Sequence, residues 1–367
     1  MDKKLKISII GSRGYPYVYS GYETLVKELS ERLVSKGHSV RVYCHSSLFK
    51  NKPNFFNGIE LIYTPSFETK FLSQISNSFF SFLHVCFSKT DIVLVVNSAN
   101  GPFGILTKLF GKKTCINVDG LEWLRPKWKG LGSYYFKISS KLSTNLFDEI
   151  ITDSNHMYLI YKKMFNKNSR VIAYGSTMIK TKSDDVLVKF KLETNNYYLI
   201  VGRLVPDNNS KLIIKAFLKS KSPKKLVIVG DVPYKDNYAE QVKKMASNNI
   251  VFTGYIKSQE KLSQIYKNCF CYIHGHEYGG TNPTMINALD LNCKIIALNT
   301  IFNREMLMNK KNLLFEKNLV SIKECINTID LYKKSYIEDN YNLPKKYSWD
   351  HIANSYLKLF YKIIEKV

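Results

Sequence analysis

The residues best suited to chemistry lie between His274 and Ala288, in the segment H-G-H-E-Y-G-G-T-N-P-T-M-I-N-A. Gly279 and Gly280 allow the backbone to approach a ligand closely. Asn282, followed by proline, predicts a helix start, whose unpaired N–H groups and partial positive charge suit an anion such as a diphosphate. Glu277 is placed to accept hydrogen bonds from sugar hydroxyls. The alternative is an ordinary turn between a strand and a helix.

Two arginines follow predicted strands and suit an anionic ligand. Arg203 comes directly after the strand predicted over 197–201, where its guanidinium could bind a diphosphate through two parallel hydrogen bonds. Arg13 lies between Gly11 and Gly14 after the first strand, within reach of a phosphate or of an anionic group on an acceptor. The alternatives are a buried structural arginine at 203 and a solvated one at 13.

A third segment, N-V-D-G-L-E-W-L-R-P-K-W, mixes carboxylates with aromatic faces. Its candidates are Asp119, Glu122, Trp123, Arg125 and Trp128, a combination suited to holding sugars. Charged residues beside tryptophans also occur in plain interface loops, so that alternative stays open.

The elements that must position these residues alternate between strand and helix. Strands are predicted over 5–10, 39–43, 59–63, 92–96, 115–118, 197–201, 226–229, 250–252 and 269–273. Helical patterns lie between them, including 71–87, 103–110, 211–218, 238–246 and 262–266. Alternation of this kind predicts parallel sheets covered by helices on both faces, with ligands bound beyond the carboxyl ends of the strands.

The alternation stops and restarts, which indicates two domains. Residues 1–175 are predicted as one Rossmann-like domain and residues 176–345 as a second. Residues 346–367 form an amphipathic helix, predicted to pack back on the N-terminal domain, with a place on a membrane surface as the alternative. The glycines at 11, 14 and 21 do not fit the dinucleotide spacing G-x-G-x-x-G, so a nicotinamide or flavin site is disfavoured.

Composition narrows the partners and the compartment. The formal net charge of +24, from 54 Lys and Arg against 30 Asp and Glu, favours anionic partners. Seven cysteines at irregular spacing, with no C-x-x-C pair, predict a reducing compartment without disulfides or a zinc site. The first apolar run is too short for a signal peptide and 71–87 is too polar to span a bilayer.

Taken together, these motifs resemble those of a known family. The chain resembles the retaining glycosyltransferases of family 4, which have the GT-B architecture, and more narrowly the bacterial rhamnosyltransferase-type members of surface polysaccharide synthesis. The four motifs that carry it occur in the expected order, at Gly11 to Thr24, Asn117 to Trp123, Gly202 to Asn209 and His274 to Pro283. The similarity covers roughly residues 5–320.

The resemblance implies an α/β fold of two Rossmann-like doubly wound domains that face an interdomain cleft. It also implies transfer of L-rhamnose, with retention, from dTDP-rhamnose to a lipid-linked oligosaccharide acceptor, without a metal or other cofactor. The leaving diphosphate would be stabilised by Arg203 and by loop N–H groups. Asp119 would orient the attacking hydroxyl.

The resemblance also implies roles for individual residues. The catalytic candidates are Asp119, Glu122, Arg203 and Glu277. The donor-binding candidates are Gly11, Arg13, Gly14, Gly202, Arg203, Asn208, Gly230, Tyr255, Glu277, Gly279, Gly280, Thr281, Asn282 and Asn287. The acceptor-binding candidates are Arg13, Tyr22, Glu23, Trp123 and Arg125.

Two positions depart from the wider family. Many members have a glutamate that holds the ribose where this chain has Asn287, and an amide there can still hydrogen-bond a deoxyribose hydroxyl. The lysine that often follows the Arg203 position is absent, with Asn208 near it. Because the rhamnosyltransferase-like members share the Asn-Asn pair, this second departure narrows the subgroup.

Several alternatives stay open at this stage. The donor could be UDP-glucose, UDP-galactose or a UDP-N-acetylhexosamine, and a two-domain sugar-nucleotide epimerase would share the architecture. A non-enzymatic protein that binds an anionic polymer would account for the charge, although the basic residues form no aromatic-interleaved nucleic-acid motif and no nucleic acid is expected. The lipid-linked acceptor and the charge together predict a cytoplasmic protein, peripheral on the inner face of the cell membrane, where anionic lipids attract lysines. The oligomeric state is left open.

Overall fold

The structure, a computed structural model, describes residues 3–16, 21–67, 69, 72–118, 120–126, 128, 130–232, 235–307, 313–331 and 343–365. The chain divides into two compact units. Unit 1 comprises Met1–Gly175, Gly279–Thr281 and Lys345–Val367, and unit 2 comprises Ser176–Tyr278 and Asn282–Pro344.

Unit 1 is built on one sheet. Its strands in the described part of the chain are β1 (Lys6–Ile10), β2 (Ser39–His45), β3 (Phe55–Phe56), β4 (Ile59–Thr64), β5 (Ile92–Val96), β6 (Thr114–Asn117), β7 (Glu149–Thr152) and β8 (Arg170–Val171). They lie in the order β3-β4-β2-β1-β5-β6-β7-β8, and neighbours are parallel except β3 and β4. The helices between them are α1 (Gly21–Ser35), α2 (Leu72–Phe87), α3 (Gly104–Leu109), α4 (Leu131–Leu146) and α5 (Asn155–Phe165).

Unit 2 repeats the pattern. Its described strands are β9 (Tyr197–Val201), β10 (Lys225–Val229), β11 (Ile250–Gly254), β12 (Cys271–His274), β13 (Ile295–Leu298) and β14 (Leu313–Phe315), in the parallel order β11-β10-β9-β12-β13-β14. Its helices are α6 (Asp185–Lys189), α7 (Ser210–Ser220), α8 (Asn237–Lys243), α9 (Gln259–Lys267), α10 (Pro283–Asp290), α11 (Ile301–Leu307) and α12 (Leu319–Leu331). The predicted fold class, with two Rossmann-like parallel sheets, is confirmed.

The central strands are apolar because both sheet faces are covered. Every residue of β5 is buried, and so is every residue of β13. Continuous apolar runs of this kind are typical of strands in parallel sheets with helices on each side. In β12 the boundary differs from the prediction, because His274 pairs in register with Ala297 and so ends the strand.

The last helix, α13 (Trp349–Glu365), belongs to unit 1, as the fold prediction expects. It packs on α1, and its buried face includes Trp349, Tyr356 and Phe360. The Tyr356 hydroxyl accepts a hydrogen bond from the Asn117 side chain at 2.9 Å. Helix α13 therefore completes the core of unit 1.

No helix in the described part of the chain is both long enough and apolar enough to cross a membrane. All seven cysteines are free, and most of them are buried. Burial raises the pKa of the Cys44 thiol to about 12, so this thiol stays protonated at neutral pH.

Candidate functional site

The strand order of unit 2 brings its candidate site residues to one edge of the sheet. β9 lies between β10 and β12. The connection that follows β9 leads to β10 on one side, and the connection that follows β11 returns to place β12 on the other side, so a crevice opens beyond the carboxyl ends of β9 and β12. Ligands bind at such switch points in open α/β sheets. Arg203 comes just after β9, and Glu277 comes just after β12. Two residues distant in sequence thus share one edge of the sheet.

The backbone at the end of β9 is packed closely against that of β10. Gly230 has a φ of +128°, and a Cβ at this position would lie 2.0 Å from the carbonyl oxygen of Gly202. Only glycine fits there. The Arg203 side chain is half-buried and makes no hydrogen bond or ion pair with any residue the structure describes. A half-buried guanidinium of this kind is suited to bind an anion.

The loops after β9 and β12 are locked together by side chains. The His276 Nδ1 donates to the Asn208 side-chain oxygen at 2.6 Å, while the Asn208 amide nitrogen donates to the Arg203 carbonyl at 2.8 Å. Asn209 donates from its side-chain nitrogen to the Gly275 carbonyl and to the Glu277 carboxylate, both at 2.8 Å. The Asn-Asn pair therefore fixes the position of both predicted donor-binding loops.

Glu277 is held in one orientation. Besides Asn209, the ammonium of Lys317 lies 2.5 Å from the same carboxylate oxygen, and the Glu277 amide donates to the Asp207 carbonyl at 3.1 Å. The Glu277 side chain is only 11% exposed. A carboxylate that is positioned but not fully enclosed can still accept hydrogen bonds from sugar hydroxyls.

His274 supports this loop from within the core. Its ring is buried, and Nδ1 lies 2.9 Å from the Tyr272 hydroxyl, which in turn donates to the Thr284 hydroxyl. Nε2 has no hydrogen-bond partner among the described residues. Burial, followed by the nearby His276, holds the pKa of His274 well below its usual value, so the ring is neutral.

Helix α10 begins as predicted. The Asn282 side chain accepts a hydrogen bond from the Thr284 amide at 3.0 Å, and proline occupies the first helical position. The positive end of this helix lies in the segment that follows Glu277.

The backbone amides just before α10 are predicted to be available for phosphates, but the amide of Thr281 already has a partner. Gly279–Thr281 group with unit 1, where the Thr281 amide donates to the Asp153 carboxylate at 2.6 Å and its hydroxyl contacts the Asp153 carbonyl. A Cβ at Gly280 would lie 1.8 Å from an Asp153 carboxylate oxygen. Gly280 is therefore required by packing against Asp153, and its role in phosphate binding stays a prediction.

Asn287 and Tyr255 complete the donor-binding candidates of unit 2. Asn287 is buried, and its side-chain oxygen accepts from the Ser176 hydroxyl at 3.3 Å and the Thr177 amide at 3.1 Å. It thus holds the segment that enters unit 2. Tyr255 follows β11, and its ring is exposed. Contacts of either residue with a nucleotide stay predictions.

In unit 1 the first loop also leaves a switch point, between β1 and β5. A Cβ at Gly11 would lie 2.2 Å from the Val96 carbonyl, and one at Gly14 would lie 2.8 Å from the Cys44 sulfur. Both glycines have positive φ, so both are required by the fold of the loop. The Arg13 amide donates to the Glu23 carboxylate at 3.0 Å.

Glu23 is buried, so its contact with this loop is structural, while Tyr22 is partly exposed at the start of α1. Their predicted contacts with an acceptor stay predictions.

The N-V-D-G-L-E-W segment is largely self-contained. Glu122 is paired with Arg125 at 2.9 Å and accepts from the Trp128 ring nitrogen at 2.8 Å. Trp123 is buried with its ring edge against Tyr161. The charged and aromatic side chains that suggested a sugar site thus contact one another.

Asp119 lies outside the described residues, so its predicted catalytic role stays a prediction. In the described part of the chain no group of three or more His, Cys, Asp or Glu side chains is placed to hold a metal ion.

Three residues of the unit 2 site escape sequence analysis: Asn209, His276 and Lys317. Asn209 and His276 stand inside the quoted motifs, where the Asn-Asn pair and the repeated histidine were the available signal. Lys317 follows β14 in a stretch without any motif, and only the sheet order brings it to Glu277.

Two family models match parts of this chain. The family model described as Glycosyl transferases group 1 matches residues 183–348. The matched residues make up less than half of the chain. A second model, a domain of unknown function designated DUF1972, matches residues 85–177. The region matched by the first model contains Arg203, Glu277 and the side chains that position them. No curated protein matches the chain in sequence.

Solved structures similar to this chain share its fold over nearly its full length. Sucrose-phosphate synthase from Thermosynechococcus elongatus is 14% identical with a TM-score of 0.80, covering 99% of this chain and 100% of that chain. Anabaena HepE in complex with UDP and glucose is 13% identical with a TM-score of 0.76, covering 97% and 99%. UDP-N-acetylglucosamine 2-epimerase from Rickettsia bellii is 15% identical with a TM-score of 0.65, covering 99% and 98%. At these identities the likeness shows the GT-B fold.

Proposed function

We propose that this chain transfers a sugar from a nucleoside diphosphate donor bound at the β9 and β12 strand ends of unit 2. The observation that carries the proposal is the interlock of the two loops there, in which Asn208 bonds His276 and Asn209 bonds Glu277. This interlock holds a guanidinium with no partner among the described residues and an oriented carboxylate on the same edge of one sheet. A diphosphate and a sugar hydroxyl are the ligands that match those two groups.

In this proposal Arg203 binds the diphosphate. A nucleoside diphosphate departs with negative charge, and a preorganised donor stabilises that charge in the transition state better than solvent does. The positive end of α10 adds to the same stabilisation. Glu277 accepts hydrogen bonds from the transferred sugar and fixes its orientation.

We propose L-rhamnose, carried by dTDP, as the transferred sugar, on the strength of the four motifs and the Asn-Asn pair. Transfer proceeds with retention by front-face attack, in which the departing phosphate oxygen takes the proton of the acceptor hydroxyl and Asp119 orients that hydroxyl. The bond from the anomeric carbon to the phosphate oxygen breaks as the bond to the acceptor oxygen forms. The products are the glycosylated acceptor and dTDP, and the proposal includes no metal.

The proposed acceptor is a lipid-linked oligosaccharide used for a surface polysaccharide. Such an acceptor is presented at the cytoplasmic face of a membrane, so the protein would work there as a peripheral protein. The net charge of +24 supports this placement, because anionic lipids attract lysine and arginine side chains.

A panel of dTDP-, UDP- and GDP-sugars tests the donor. Binding is measured by calorimetry, and transfer is measured with a lipid-linked acceptor in detergent. We expect dTDP-rhamnose to bind selectively and Arg203→Ala to lower the transfer rate by roughly 100- to 1000-fold, since removing one preorganised donor costs about 2.7–4 kcal/mol. Arg170→Ala, which removes one exposed arginine of unit 1, is the matched control and should leave both measurements unchanged.

Three other outcomes would change the proposed assignment. If a different sugar nucleotide binds and is transferred, rhamnose is wrong and the transferase stands. If the protein isomerises a sugar nucleotide in the absence of acceptor, it is an epimerase. If no sugar nucleotide binds, the site assignment in unit 2 is wrong.

A further inference from the structure

Unit 1 carries an unusual solvent-facing surface on three consecutive helices. Helix α2 packs on α3, and α3 packs on α4. On α2 the exposed side chains include Phe79, Leu83 and Phe87, spaced four residues apart and therefore along one stripe. Leu109, at the end of α3, and Phe110, just beyond it, are also exposed. The rings of Phe87 and Phe110 touch edge to face, with centroids 5.0 Å apart, so the two helices present one continuous apolar surface.

Helix α4 extends this surface and adds charge. Leu131, Tyr134 and Ile138 are exposed at helical spacing, and Leu131 is 88% exposed. Lys137 and Lys141, one turn apart on the same helix, are exposed as well. We refer to the solvent-facing residues of α2, α3 and α4 as the α2–α4 face.

The helices of the α2–α4 face carry lysines but no acidic residues. None of the residues of these three helices, all of which the structure describes, is Asp or Glu. By contrast, α1 of the same unit carries Glu23, Glu28 and Glu31. Every exposed phenylalanine in the described part of the chain lies in unit 1. A surface that combines large apolar side chains with lysines and lacks carboxylates on its helices is complementary to an anionic, partly apolar surface.

A cavity beside the α2–α4 face has the same character. It has a volume of about 280 Å³ and is lined in part by Lys108, Lys112 and Lys113 around the end of α3, with the carboxylate of Asp148 also on its wall. The Lys108 ammonium donates to the Asn145 carbonyl at 3.2 Å and the Lys112 ammonium to the Ser88 carbonyl at 2.8 Å, which holds two positive charges close to exposed Leu109.

We propose that the α2–α4 face docks this protein on a membrane that contains anionic phospholipids, with the apolar side chains entering the head-group boundary and the lysines contacting lipid phosphates. The inference deepens the proposed function, since a lipid-linked acceptor lies in such a membrane. It does not depend on the donor site, because docking requires neither donor nor acceptor.

Flotation of the full chain with vesicles tests the proposal. We expect binding to vesicles of phosphatidylcholine and phosphatidylglycerol at physiological salt, and weaker binding to phosphatidylcholine alone. Leu109→Ser with Phe110→Ser should weaken vesicle binding by about tenfold or more, because two large side chains no longer enter the lipid. Lys137→Gln with Lys141→Gln should weaken it by about tenfold on the anionic vesicles only.

Matched controls come from unit 2. Val188→Ser with Leu331→Ser removes two exposed apolar side chains, and Lys215→Gln with Lys219→Gln removes two exposed lysines one helical turn apart. Both controls should bind vesicles as the unchanged protein does. Thermal unfolding midpoints for all variants should stay unchanged, since every substituted side chain is exposed.

The proposal is overturned if the unchanged protein does not float with anionic vesicles, or if the controls lose as much binding as the α2–α4 variants. It is also overturned if the face instead joins two copies, seen as a dimer in sedimentation that Leu109→Ser with Phe110→Ser dissociates without any vesicle binding. Calorimetry with sugar nucleotides in the absence of vesicles reports separately on the donor site. A failure of docking is thereby distinguished from a failure of the proposed function.

Discussion

The orientation of Glu277 depends on two side chains of very different surroundings. Asn209 is buried and donates to the Glu277 carboxylate, whereas the Lys317 side chain is 54% exposed. A buried hydrogen bond to a charged group contributes about 1.5–3 kcal/mol, but an exposed ion pair contributes only about 0–1 kcal/mol. The short distance from Lys317 to Glu277 is therefore a poor guide to its importance.

This difference predicts unequal effects on catalysis. Asn209→Gly keeps the positive φ of this position and should lower kcat by about 10- to 100-fold. Lys317→Ala should lower it by less than about fivefold. Steady-state kinetics of transfer with the same donor measures both, and equal losses in the two variants would contradict the argument.

The buried ring of His274 predicts a pH dependence of stability. Its pKa is depressed in the folded protein, so as pH falls below the ordinary histidine value of about 6.5 the unfolded chain binds a proton that the folded chain does not. Stability attributable to this residue is present above that value and decreases as pH falls toward the folded pKa. The loss between about pH 7.5 and about pH 5.5 should be roughly 1 kcal/mol.

His274→Asn removes the titrating ring and keeps a donor at the Nδ1 position. Its thermal midpoint should fall less between these two pH values than that of the unchanged protein. His351→Asn, in α13 and exposed, is the control and should retain the full pH dependence. An identical pH dependence in the His274 variant would show that the ring does not stay neutral.

At the scale of elements, the site requires that β9 and β10 end very close together. Gly230 and Gly254 both have positive φ, but a Cβ at Gly230 meets the Gly202 carbonyl at 2.0 Å, while one at Gly254 meets nothing within 4 Å. A comparison of substitutions at these two glycines therefore separates the cost of an unfavourable φ from the cost of steric overlap. One strand end is packed against its neighbour and the other is open.

Gly254→Ala should cost about 1 kcal/mol, the price of an unfavourable φ. Gly230→Ala should cost at least about 2 kcal/mol more, because the backbone at the end of β9 must also move. Thermal unfolding measures both changes, and donor binding should weaken only in the Gly230 variant. Similar losses in both would show that the close approach of the two strand ends has no energetic weight.

For the whole molecule, the main feature is that helix α13 forms part of the core of unit 1. Helix α13 buries Trp349, Ile352, Tyr356 and Phe360 in unit 1, and each such side chain contributes about 1.5–3 kcal/mol on burial. Their sum is comparable to the total stability of a typical domain, about 5–15 kcal/mol. Unit 1 is therefore not expected to fold without α13.

Deletion of residues 349–367 should abolish hydrogen-exchange protection in the peptides of unit 1 and retain it in those of unit 2. The two units have separate sheets and separate cores, so the second does not require α13. Removal of residues 366–367 alone is the control, since α13 ends at Glu365. Protection of unit 1 in the longer deletion would contradict this account.

The amino-acid sequence was enough to predict the fold class and to place candidate residues at the ends of strands. The strands were predictable because parallel strands buried on both faces read as short apolar runs, as in β5 and β9. Arg203 and Glu277 were predictable because ligands bind where such strands end. The N-terminus of α10 was predictable from the asparagine and proline that open it.

The partners that these groups already have could be seen only in the folded protein. Glu122 pairs with Arg125 and Trp128, Glu23 holds the Arg13 amide, and Thr281 bonds Asp153. Lys317 reaches Glu277 across 40 positions of sequence because β14 and β12 lie in one sheet. Motifs specify residue types at short spacing, whereas the partner of a side chain depends on strand order and loop packing. The residue types of the candidate site were therefore predictable from the sequence, whereas the contacts of their side chains depend on the tertiary structure.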